Sequence, residues 1–280
     1  MGNGDPVPSV SEEEASAEIA ALYADIRTTL GVPLVNLIWR NLATMPGALE
    51  WAWNSVKPVY ASGRIQNEAA RLVAAQCLPS VPGWPVAALR AVGIESGDER
   101  VIRAVLDSYD RSNPLNLVAL NVLLAVLRNE DGGTTDSAPV VSKVNPLDVS
   151  LPRLVKLDEI PQGVAELVRA VNRLGARGRE HIMVSMPRHL AHWPGFLALY
   201  WSTIAPLDAS GELGPCIDAV LEDGRRRGAL LASDADRSLQ LPEESLDGVK
   251  ATLDDFCRNA ISRMIPVVSL LRKALPAPTP

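Results

Sequence analysis

Histidine, able to do acid–base or metal chemistry, is scarce here: His181, His189 and His192 are the whole supply. His189 and His192 fall three residues apart on a predicted helix, a spacing that can serve a metal ion. No Glu lies between them as in a metalloprotease and no third ligand is near, so no metal is expected. Cys77, Cys216 and Cys257 are far apart, odd in number and without a CxxC pair, which argues against zinc knuckles and disulfide frameworks and for a reducing cytoplasm. Arg40 and Arg188 could each grip a carboxylate through two parallel hydrogen bonds. Because they sit in matching sequences, a repeated helix-end contact or ion pair is the plainer reading. Trp39, Trp51, Trp53, Trp193 and Trp201 gather round the same sequences, where an indole can wall a pocket or, more simply, fill a seam between packed segments. GxSxG, GxxxxGK and GxGxxG are all missing, so serine-hydrolase and nucleotide chemistry have no support and no cofactor is expected.

The scaffold that must hold such groups is globular, with 47% apolar and 21% charged residues among 280. Its interior is mostly aliphatic, since six Trp, four Tyr and two Phe are all the aromatics available. A net charge of -6, with Arg225-Arg226-Arg227 the main basic run, argues against nucleic acid as a partner. A small neutral or anionic ligand in an enclosed pocket remains compatible. The most apolar stretch, Leu115 to Leu127, is interrupted by Asn116 and Asn121 and falls short of the roughly 20 residues a bilayer span needs. It reads as a buried helix, and no membrane association is expected. Met1 to Glu18 is polar and acidic, without the basic start and apolar run of a secretory signal, so a cytoplasmic location is expected.

Helical periodicity dominates. Ile19, Leu22, Tyr23, Ile26 and Leu30 recur on one face between Glu12 and Leu30, with Ser11 available as N-cap. Further helical patterns cover Leu37–Ala43, Ala48–Val59, Asn67–Leu78, Val86–Val92, Gly97–Tyr109 and Pro114–Arg128. Residues 130–152 lose periodicity and collect Gly, Thr, Ser, Asp and Pro, as linkers do. Helical patterns then resume at Ile160–Leu174, Ile182–Ala191, Pro194–Ile204, Pro215–Arg226, Ser245–Arg258 and Ile261–Leu275. Alternating β-branched runs are nearly absent, so the fold class expected is all-α.

The second half repeats the first. Arg40-Asn-Leu-Ala-Thr-Met-Pro-Gly47 aligns with Arg188-His-Leu-Ala-His-Trp-Pro-Gly195 at an offset of 148, and 11 of 26 positions from Arg40 to Ile65 are identical without a gap. The offset then becomes 147, pairing Leu106-Asp107 with Leu253-Asp254, Tyr109 with Phe256 and Arg111 with Arg258. Residues 12–129 and 153–276 are therefore expected to be two copies of one unit, packed about a pseudo-twofold axis as in a C2 dimer, with a cleft at their seam. Departures from the repeat carry information: Asn113-Pro114 becomes Ala260-Ile261, and Ile38-Trp39 becomes Met186-Pro187.

With VPLVNLIWRNLATMPG near the start, SNPLNL in the middle and MVSMPRHLAHWPG in the second half, the chain resembles the group I 2-haloacid dehalogenases from about Ala15 to Leu275. This is the helical, cofactor-free family acting on D- or on both enantiomers of 2-halocarboxylic acids. The resemblance implies a pocket in which an aspartate activates water to attack C2 directly, inverting that centre without a covalent ester. In the family that aspartate follows a serine and precedes Trp-Pro by seven residues; counting back from Trp193 gives Met186, preceded by Ser185. A thioether cannot take a proton from water. Asn113 matches the family's pocket asparagine in its Asn-Pro step, whereas Leu34 stands where the family places an aromatic after Val-Pro. The pocket expected on this basis is Leu34, Leu37, Trp39, Asn113, Ser185 and Met186. His189, almost a full turn beyond Met186, is the first substitute base, with Glu180 and His181 behind it. Its counterpart Asn41 is also polar, so packing between the repeats is the plainer role for His189. Three outcomes are open: hydrolysis of a 2-haloacid, a binder or different enzyme reusing the pocket for a short carboxylic acid, and a purely structural homo-oligomer.

Overall fold

Apolar residues spaced three and four apart become helix nearly everywhere. The computed structural model describes residues 7–133, 150–177 and 182–277, and no strand occurs among them. Before the linker region come α1 (Ala17–Leu30), α2 (Leu37–Leu42), α3 (Ala48–Ala61), α4 (Arg64–Ala74), α5 (Val86–Ala91) and α6 (Ser96–Leu127). After it come α7 (Gln162–Arg173), α8 (Ser185–His189), α9 (Pro194–Ala209), α10 (Leu213–Leu230), α11 (Glu243–Asp255) and α12 (Ser262–Ala274). Most of the expected linker, and both Glu180 and His181, lie outside the described residues. No helix among the described residues is long and apolar enough to cross a membrane.

Three local expectations change. α1 begins at Ala17 with Ser16 as its cap, the Ser16 Oγ accepting the Ile19 N–H at 3.3 Å. Ser11 instead closes a turn onto Glu14, because Glu12 is drawn inward to accept the Val35 N–H at 3.0 Å and to pair with Arg27. The two patterns on either side of Asn113-Pro114 form one helix, α6. Pro114 withholds the N–H that would bond the Asp110 carbonyl, but Leu117 to Ala125 are buried on every side, and that packing outweighs one missing bond. α11 and α12 are likewise continuous, joined through a π-helical turn, Phe256–Ile261.

α6 is the central element and packs against α4, α10 and α12. α10 approaches it closely because Gly228 has no side chain: a Cβ there would lie 2.4 Å from the Asn121 Cβ. Asn121 itself is satisfied, its Nδ2 donating to the Leu117 carbonyl at 2.7 Å. Between α4 and α10 the Arg227 guanidinium donates to Glu68 and to Asp223, each at 2.6 Å, and both Glu68 and Arg227 are buried. Burying these charges is tolerable only because they are paired and hydrogen-bonded.

Candidate functional site

A cavity of about 430 Å3, partly open to solvent, is enclosed by four stretches of chain. The start of α2 supplies Asn36, Leu37 and Ile38; α6 supplies Tyr109, Asn113 and Asn116. Across from them stand Ile182, Val184, Ser185 and Met186 at the start of α8, and Phe256, Ala260, Ile261 and Met264 around the π turn. A π turn widens the helix by one residue per turn and is frequently found at functional sites.

Each wall is fixed by polar residues behind it. Segment 182–184 is held by Asn172, whose Oδ1 accepts the Val184 N–H at 3.1 Å and whose Nδ2 donates to the Ile182 carbonyl at 3.3 Å. Arg263, 2% exposed, binds the same Asn172 and ties segment 182–184 to α12. On the facing wall the Trp39 indole N–H donates to Asn116 Oδ1 at 3.0 Å, and Asn36 Nδ2 donates to Ser112 Oγ at 3.0 Å. These bonds use one end of the Asn36 and Asn116 amides and leave the other: Asn36 Oδ1 and Asn116 Nδ2, and with them Asn113 Nδ2, are buried without a partner among the described residues. The Ser185 Oγ also lacks a well-formed partner there. Unpartnered buried amides are costly, and three around one small cavity mark it as a place where a polar ligand or water is held.

Tyr109 Oη and His189 Nδ1 lie 2.7 Å apart. His189 is 2% exposed, and its Nε2 has no partner among the described residues. An orphaned N–H is rarer than an orphaned lone pair, so the proton is assigned to Nδ1, which donates to Tyr109 and frees the phenol O–H to point elsewhere. Burial, reinforced by Arg188, His192 and Arg40, pushes the imidazole down to about 3, so it is neutral. Burial pushes the Tyr109 phenol up, opposed by the positive fields of Arg40 and Arg188 and by the adjacent Ser185 hydroxyl.

The structure thus brings Leu37, Asn113, Ser185 and Met186 to one cavity. Trp39 stands behind it as the support of Asn116, Leu34 is half-buried away from the lining, and His189 reaches it only through Tyr109. Trp201 fills neither pocket nor seam, being 47% exposed. Among the described residues no Asp, Glu, Lys or His lines the cavity. The carboxylates of Asp107 and Asp110 on α6 are engaged with Arg272. Asn36, Tyr109 and Asn116 escaped the sequence reading, although Asn116 carried a signal as an amide inside an otherwise apolar helix.

The family model described as "Halocarboxylic acid dehydrogenase DehI" matches residues 33–143. A configuration-inverting 2-haloacid dehalogenase of Alcaligenes xylosoxydans xylosoxydans is 28% identical over 209 residues, 71% of this chain and 68% of the relative. An (R)-2-haloacid dehalogenase of Pseudomonas putida is 37% identical over 82 residues, 27% of each chain. A solved D-2-haloacid dehalogenase in complex with L-LA superposes with a TM-score of 0.75 at 19% identity, covering 98% of both chains. The chain is thus similar in sequence to 2-haloacid dehalogenases over 71% of its length, and in fold to a D-2-haloacid dehalogenase. Its all-helical architecture is that of the D-2-haloacid dehalogenase fold.

Proposed function

We propose that this chain is a member of the 2-haloacid dehalogenase family that binds a short carboxylic acid in the cavity and has lost the carboxylate with which to activate water on it. One observation carries the reading: the cavity that unites Asn113 with Ser185 and Met186 has no acidic or imidazole side chain among its described lining residues. Met186 stands where the resemblance implies the aspartate, and its thioether accepts no proton from water. His189 is a poor substitute, since an imidazole held at about 3 has little tendency to take a proton. Its role is to position the Tyr109 hydroxyl.

The ligand class follows from the lining. The Asn113 and Asn116 amides and the Tyr109 hydroxyl on α6, with the Ser185 hydroxyl at the start of α8, offer hydrogen-bond donors within the field of Arg40 and Arg188. Val184, Met186, Phe256, Ile261 and Met264 offer apolar surface. A carboxylate suits the donors and a short carbon chain the apolar side chains. The relatives named for 2-haloacids, and the structure holding L-LA, support an acid of that size.

The same reading takes residues 12–129 and 153–276 as two copies joined by 130–152, with the cavity at their seam. In its support, the lining residues pair at the repeat offsets: Asn36, Leu37 and Ile38 with Val184, Ser185 and Met186, then Tyr109 and Asn113 with Phe256 and Ala260. Equivalent backbone also matches, with Gly63 and Gly211 at φ 77° and 81°. Cytoplasmic residence, and independence of metal, cofactor and nucleic acid, belong to this proposal.

Calorimetric titration with lactate and both enantiomers of 2-chloropropionate, alongside chloride-release assays, tests it. Wild type should bind without releasing chloride, Asn113→Ala should weaken binding by about tenfold or more through loss of a hydrogen bond to a charged group, and Met186→Asp should gain chloride release. Chloride release by wild type that disappears in Asn113→Ala would show the base is not lost. Absence of wild-type binding, with a folded but inactive Met186→Asp, would remove the pocket assignment.

A further inference from the structure

A second depression is lined by Leu72, Gln76, Cys77, Cys216, Val220 and Asp223. Cys77 is exposed on the irregular connector 76–85 between α4 and α5, and Cys216 projects from the first turn of α10. The Cys216 thiol donates to the carbonyl of Cys77 itself at 3.1 Å, so two cysteines 139 positions apart in sequence are neighbours in space. We infer that Cys77 and Cys216 form a site of reversible thiol oxidation, closing to a disulfide between the 76–85 connector and α10 when a low-molecular-weight disulfide is the oxidant.

Exposure decides the order of events. The Cys77 thiolate attacks one sulfur of the small disulfide, the small S–S bond breaks, and one small thiol leaves with the proton that Cys77 gave up. The Cys216 thiolate then attacks the Cys77 sulfur, forming the protein disulfide and releasing the second small thiol with the second proton. Two protein thiols are oxidised and one small disulfide is reduced. Cys216 is the slower partner, because burial, Cys77 and Glu212 all hold its thiol up. Geometry favours closure: α10 is anchored by the Arg227–Glu68 pair, while the connector has no helical hydrogen bonds to break as it swings the Cys77 side chain across. The third cysteine, Cys257, is buried beside Asn121 with its thiol pushed well up, and takes no part. Free thiols at rest and a disulfide under oxidant are the behaviour of a redox-responsive pair in a reducing compartment.

Incubating the full-length protein with oxidised glutathione, quenching with N-ethylmaleimide and mapping non-reduced peptides should give a Cys77–Cys216 link that dithiothreitol reverses. Oxidised wild type should melt about 5–10 °C higher than reduced, as expected for a long closed loop. Cys77→Ser and Cys216→Ser should fold like reduced wild type and show no shift. Glutathione remaining on Cys77 as a mixed disulfide, or links formed only between chains, would overturn the inference.

Discussion

Acidification from about pH 7.5 to about pH 4.5 should cost the folded state about 3 kcal/mol through His189 alone. The side chain is 2% exposed, and burial with nearby Arg188, His192 and Arg40 lowers its pKa from 6.5 to about 3. A depressed folded-state pKa means that the unfolded chain takes up the proton first. Above about pH 6.5 the imidazole is neutral in both states, and its contribution is complete. As pH falls from there toward 3, each unit removes about 1.4 kcal/mol, so the two units down to about pH 4.5 give the figure above. His189→Asn abolishes this titration while placing at the position the residue found at Asn41 in the first half. Urea denaturation of both proteins at both pH values isolates the effect, because every other titrating group is common to them. Wild type should lose about 3 kcal/mol more than the variant on acidification. Equal losses, or a His189 resonance titrating near its ordinary value, would refute the buried neutral imidazole and with it the assignment of Nδ1–H as donor to Tyr109.

Two further outcomes concern the frame around the cavity. Glu68→Ala should destabilise the fold by about 3–5 kcal/mol in denaturant titration, since it strips one partner from the buried Arg227 guanidinium. Gly228→Ala should cost about 1–3 kcal/mol, because the added Cβ would meet the Asn121 Cβ at 2.4 Å and the backbone of α6 must move away from α10. A neutral result for either would mean that α10 is not held against α4 and α6 as described.

Helical class was legible because burial leaves a period of 3.6 in the order of apolar residues, and each predicted segment has a helix at or near it. Boundaries were less so. Ser11 and Ser16 are both acceptable caps locally, and the choice between them turned on Glu12 reaching Val35, a contact 23 residues away. Pro114 and the turn at Phe256–Ile261 look like breaks in one dimension, yet burial on all sides carries α6 past Pro114, and the buried Phe256, Cys257, Ala260 and Ile261 pack the π turn into one continuous helix. In the site, Asn113, Ser185, Met186 and Leu37 were accessible from motif and repeat, whereas Tyr109 and Asn36 were not, because nothing local distinguishes them from packing residues.

By itself the sequence determined that the chain would be helical, that Arg40–Ile65 and the stretch 148 positions later share 11 of 26 residues, and that sulfur occupies position 186 where the resemblance implies a carboxylate. These are properties of residue type and spacing, and need no knowledge of distant contacts. Only the tertiary structure decided that no acid among the described residues lines the cavity, that His189 sits behind Tyr109 and stays neutral, and that Cys77 meets Cys216. Each of these depends on how helices far apart in sequence pack, and packing sets both the neighbours and the desolvation that control a side chain's chemistry.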